Sequence, residues 1–128
     1  MEAAQLLDSI LKKKWLSSNT VREGLIACFT LTLLNYSTQA SLSRLGLELG
    51  RNKTSFPDEA AIYSRVLQTS QEGFRTLKID DEYPTKDQIM KLKAIMEKRL
   101  GFDKLKEDNP ALMEQYNNLT STLLSKLE

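Results

Sequence analysis

The stretch Gly24-Leu25-Ile26-Ala27-Cys28-Phe29-Thr30-Leu31-Thr32-Leu33-Leu34 decides the fold. It holds no charge, and its two threonines are the only polar side chains in it. Just before it, Thr20 with Glu23 three residues on has the form of a capping box, so the spacing predicts a helix over about Val21 to Tyr36. Apolar groups fall on nearly every side of that helix, the pattern of an element surrounded by others rather than one lying on a surface. Phe29 to Leu33 also alternates in the manner of a strand, which is the competing local reading. On the helical reading, Thr30 and Thr32 bond back to the preceding turn and Cys28 packs as an inert thiol.

Upstream, roughly Glu2 to Leu16 places Ala3, Leu6, Leu7, Ile10 and Leu11 at three- and four-residue spacing, one apolar face of an amphipathic helix. Lys12, Lys13 and Lys14 would then sit near its C-terminal end, where cations complement the helix dipole. Acids come early in this segment and lysines late, the reverse of a secretory signal. The sequons at Asn35, Asn52 and Asn118 are therefore read as chance matches. The uncharged span from Gly24 to Ser43 approaches the ~20 residues of a membrane-spanning helix, but its polar second half, NYSTQASLS, argues against a bilayer.

Downstream, Leu42, Leu45 and Leu49 share a helical face that Gly50 is placed to end. Gln39-Ala40-Ser41-Leu42-Ser43-Arg44-Leu45-Gly46-Leu47 resembles the first helix and turn of a DNA-binding helix-turn-helix. Leu42 and Leu45 are spaced too closely for that motif, and Pro57 falls where a recognition helix should be under way, so helix-turn-helix readout is not expected. A new helix starts over Ser55 to Asp58 and keeps Ile62, Val66, Leu67, Ser70, Gly73, Phe74 and Leu77 on one stripe. Gly73, unfavourable in a helix interior, suggests close packing against a neighbour. Residues 79–84, IDDEYP, form the clearest loop. Their three acids lack the alternating ligands and turn glycine of a calcium site and are read as solvated.

Thr85 and Gln88 form a second capping box, opening a helix with inner face Ile89, Leu92, Met96 and Leu100, closed by Gly101. Phe102 and Leu105 anchor a short turn before Asn109-Pro110, a cap followed by a first-turn proline. The last helix carries Leu112, Tyr116, Leu119, Leu123 and Leu127, and the two final helices are expected to form a hairpin. The fold class is thus all-α: a compact bundle of five to six helices around a buried central helix, with a C-terminal helical hairpin. Residues 1–128 are expected to form one domain, with 79–84 as the candidate subdivision.

Composition narrows the function classes. The 128 residues are 41% hydrophobic and 27% charged, with 18 basic and 17 acidic side chains and a formal charge of +1, so the overall field nominates neither nucleic acid nor an anionic membrane. A single cysteine suits a reducing, intracellular and cytoplasmic setting, with the nucleus left open. Histidine is absent, which removes the commonest general base and metal ligand. No acid falls on an apolar face where burial would tune it, and GLELG lacks the spacing of a phosphate loop. No enzyme, metal, cofactor or small-molecule substrate is expected.

The expectation is a non-enzymatic interaction domain or small subunit of an assembly, binding another protein or a second copy of itself. Candidate interface residues are Trp15 and Leu16, adjacent large side chains that cannot both face inward, and Tyr116, Leu119 and Leu123 on a final helix with few charges. The alternative is a sequence-independent nucleic-acid-binding subunit contacting phosphates through Lys86, Lys91, Lys93, Lys98, Arg99 and Lys104, with Lys91 and Lys98 on nearly the same side of their helix. Aromatic platforms for stacked bases are missing from those basic stretches.

Overall fold

The computed structural model describes residues 3–36, 59–79 and 84–127. Six helices lie among them: α1 (Ala3–Leu11), α2 (Ser18–Asn35), α3 (Glu59–Leu77), α4 (Lys86–Arg99), α5 (Phe102–Asp108) and α6 (Pro110–Leu124). Among the described residues the only extended pairing is one isolated parallel bridge between Leu16 and Leu127. The arrangement is an all-α bundle, and no described helix is long and apolar enough to cross a membrane. The leucine face of residues 42–49, the helix-turn-helix resemblance, Pro57 and the acids at 80–82 lie outside the described residues.

The bundle is assembled around α2. Val21, Leu25, Ile26, Ala27, Cys28, Phe29 and Leu33 are all buried, while α1, α3 and α6 pack along the helix and α4 touches it. The alternation at Phe29–Leu33 belongs to this helix and not to a strand. Thr30 and Thr32 donate their hydroxyls to the carbonyls of Ile26 and Cys28, each at 2.8 Å. That satisfies two polar groups inside an apolar interior, where leaving either unpaired costs ~1–3 kcal/mol.

Two boundaries differ from the sequence reading, for one shared reason. The cap of α2 is Ser17, whose extended backbone lets its side chain accept from the Thr20 amide at 3.3 Å; Thr20 therefore sits inside the first turn rather than capping it. The first helix stops at Leu11 and not at Leu16, so the lysines at 12–14 occupy a turn beyond it. Both changes place Leu16 in extended backbone, where its amide donates to the Lys126 carbonyl at 2.6 Å. The two helix ends thus flank a residue whose backbone partner lies more than a hundred positions away.

The helix packing uses glycine where the sequence placed it. A Cβ at Gly73 would stand 2.6 Å from Leu92 Cδ1, so the bare glycine leaves the room that the Leu92 methyl fills between α3 and α4. Gly24 does the same between α2 and α6, with Leu123 Cδ1 2.7 Å from the position its Cβ would take. At the end of α3, Lys78 adopts a left-handed φ of 54°, and the Lys78 and Ile79 amides donate to the Arg75 and Phe74 carbonyls. This is a Schellman closure with lysine where glycine is usual.

The C-terminal part follows its local signals. Thr85 and Gln88 form the reciprocal box at the start of α4. Gly101, at φ 74°, turns the chain into α5, and Asn109 caps α6 by accepting from the Leu112 amide with Pro110 in the first turn. What the sequence treats as a short turn at Phe102 and Leu105 is a helix with both side chains buried. The hairpin arms in direct contact are α5 and α6, and α6 reaches α4 through side chains. Phe29, Phe102 and Tyr116 join α2, α5 and α6 with ring centroids 4.8–5.2 Å apart, and each such pair adds ~0.5–1.5 kcal/mol beyond area burial.

Candidate functional site

The turn at residues 12–16 places one of the candidate contacts where a partner could reach it. Trp15 is 66% exposed, whereas its neighbour Leu16 is 3% exposed and belongs to the core. Their directions are fixed by the backbone: Leu16 is drawn inward by its bridge to the C-terminal segment, which leaves the indole outward. Lys126 fastens the same turn a second time, its ammonium donating to the Lys13 carbonyl at 2.8 Å. Beside the indole is a groove of about 430 Å³ lined by Lys13, Lys14, Trp15, Leu16, Ser17 and Thr20.

Of the other interface candidates, Tyr116 and Leu123 are corrected. Tyr116 and Leu123 are fully buried, and Leu119 is half-buried against the core. They continue the stripe that begins at Leu112, and that stripe is what α6 lays on α2. The scarcity of charge on α6 reflects in part buried polarity, since Thr120 is 1% exposed and returns its hydroxyl to the Tyr116 and Asn117 carbonyls.

The six candidate phosphate contacts are not brought together as one face. Lys93 turns toward α6, its ammonium 2.7 Å from Glu97 and 5.2 Å from the centroid of the Tyr116 ring. Arg99 turns the other way toward α3, donating to Thr76 at 3.0 Å and lying 3.7 Å from Glu72. Lys91 pairs with Asp87 at 3.1 Å on the exposed side. Lys86, Lys98 and Lys104 are exposed. Lys91 and Lys98 do share the outer side of α4, but Lys93 is committed to an intramolecular pair and Arg99 is braced against α3.

Glu97 lies at the edge of the packed side of α4, where it meets a buried side chain of α6. One carboxylate oxygen accepts from Lys93 and, at 2.8 Å, from the Tyr116 hydroxyl. Burial first, then the charge of Glu97, hold the Tyr116 hydroxyl far above the ordinary tyrosine range, so it stays protonated and donates. The i,i+4 spacing of Lys93 and Glu97 was readable as a helix pair; their meeting with Tyr116 was not, because it depends on how α6 crosses α4. Burial also pushes the Cys28 thiol up to about 12, against a smaller lowering by Lys93, which leaves it un-ionised at neutral pH.

A second concavity, of about 510 Å³, lies between α2 and the end of α3, lined by Arg22, Gln71, Phe74, Arg75, Lys78 and Ile79. The Arg22 guanidinium stacks 4.0 Å above the Phe74 ring. Arg75 and Lys78 stand at the C-terminal end of α3, where positive charge complements the helix dipole. Among the described residues, no three Cys, Asp or Glu side chains converge as metal ligands. No family model, curated protein or solved structure matches the chain.

Proposed function

We propose that this chain is a non-enzymatic protein-interaction domain, or a small helical subunit of a larger assembly, that binds through the Trp15 turn. One observation carries the reading: Trp15 is largely exposed on a turn whose backbone is tied to the C-terminal segment. An indole left mostly in water keeps apolar surface whose burial stabilises by roughly 25 cal/mol per Å², and backbone ties at Leu16 and Lys13 lower the ordering cost of the turn on binding. Tryptophans so held are typical anchors of protein interfaces. An intracellular, cytoplasmic setting belongs to this proposal and rests on the single free cysteine, Cys28.

The test is recovery of the tagged chain from its native cells with and without nuclease, beside a Trp15→Ala variant. The expected result is a protein partner that survives nuclease and is lost with Trp15→Ala. Recovery that ends with nuclease treatment, and is unchanged in Trp15→Ala, would favour the nucleic-acid alternative and refute this reading.

A further inference from the structure

We infer that the groove beside Trp15 takes an acidic segment of a partner protein, one that lays an apolar side chain against the indole and sets carboxylates on the flanking lysines. The inference rests on the interaction reading above and adds the chemistry of the occupant. Lys12, Lys13 and Lys14 precede Trp15, and Lys126 is fastened to the same turn. Asp8 is held by Lys12 at 3.2 Å. Among the described residues neither Lys13 nor Lys14 makes an ion pair, and both line the groove. Covering the indole therefore brings an occupant against two lysines that no carboxylate among the described residues meets. A neutral apolar surface would strip water from those charges without replacing it, whereas carboxylates would pair with them.

Other polyanions meet the charge but not the shape. A single strand of nucleic acid uses successive stacking platforms along a basic track, and Trp15 is the only exposed aromatic among the described residues. A bilayer surface is broad, and here the exposed large apolar element is one indole on a turn.

Selection of random short peptides on the full chain tests the inference, with affinities then measured in solution. The expected outcome is enrichment of peptides that place Asp or Glu beside a large apolar residue. Their affinity should fall about tenfold or more with Trp15→Ala, as for an interface hot spot. It should also fall with Lys13→Glu combined with Lys14→Glu, and with added salt, while the melting temperature stays unchanged in each variant. Enriched peptides without acids that still need Trp15 would overturn the acidic occupant and leave the interaction reading standing. No enrichment, together with a native partner retained by Trp15→Ala, would overturn both. Trp15-dependent binding of oligothymidine or of phosphatidylserine vesicles in place of peptides, or a concentration-dependent dimer abolished by Trp15→Ala, would likewise overturn the inference by supplying a different occupant.

Discussion

The turn at residues 12–16 and helix α6 both read as interface material, and the bundle uses them in opposite ways. In the turn, two adjacent large side chains divide, Trp15 outward and Leu16 inward. In α6, Tyr116 and Leu123 face the core together and Leu119 lies partly buried beside them. In this turn the neighbouring side chains diverge, so Trp15 is exposed where Leu16 is buried. Residues three and four apart on a helix share a side, so a neutral helix with one apolar stripe is simply a packed helix. Low charge on its own said little about exposure.

The sharpest way to break that comparison is Leu123→Ala. Leu123 is fully buried between α6 and α2, and removing it should cost ~2–5 kcal/mol of unfolding free energy, read from denaturant titration. A change smaller than ~0.5 kcal/mol would mean that α6 does not rest on α2 and would restore Leu123 as a surface candidate. Next in size is Gly24→Ala, whose added methyl would meet Leu123 Cδ1 and Cδ2 at 2.7 and 2.8 Å. Overpacking of that kind costs ~1–3 kcal/mol and outweighs the gain of up to ~1 kcal/mol in helix propensity. In a Leu123→Ala background the same substitution should cost less, a coupling that a double-mutant cycle measures directly.

The contrast also explains which features were readable from the sequence. Thr85 with Gln88, Gly101 and Asn109-Pro110 each act within one turn of chain, and each stands where the spacing put it. The central helix was legible because no arrangement can expose all sides of Val21–Leu33. The cap of α2 was not: Ser17 and Thr20 are both acceptable caps, and the choice falls to Ser17 once Leu16 pairs with the segment at Lys126. Of the site, the division between Trp15 and Leu16 was foreseeable from adjacency, but which of them points outward was not. The pairing of Lys93, Glu97 and Tyr116 lay beyond reach for the same reason, since it joins α4 to α6 through a crossing that no local pattern encodes.

Tyr116→Phe probes α6 more finely. If the hydroxyl serves the interior, its loss should lower stability by ~1.5–3 kcal/mol, the range for a hydrogen bond to a charged group, and toward the lower end because Glu97 keeps partial contact with solvent. Partner binding should be unchanged. A loss of binding at constant stability would instead place the Tyr116 edge on the interface.

The smallest expected effect on stability is at the other pole of the comparison. Trp15→Ala removes a side chain that is 66% exposed, while the tie between Leu16 and Lys126 is made by backbone groups that the substitution leaves in place. Unfolding free energy should therefore shift by no more than ~0.5 kcal/mol. The fluorescence of this single tryptophan offers a second check on the native chain: an indole in water emits at long wavelength and is open to quenching by acrylamide, and partner binding should shift the emission to the blue and close it to the quencher. If the free chain already shows blue-shifted, protected emission, Trp15 is covered within the chain and the turn loses its claim to be the contact surface. If Trp15→Ala instead lowers stability by several kcal/mol, the turn and α6 are both core, and the difference between them disappears.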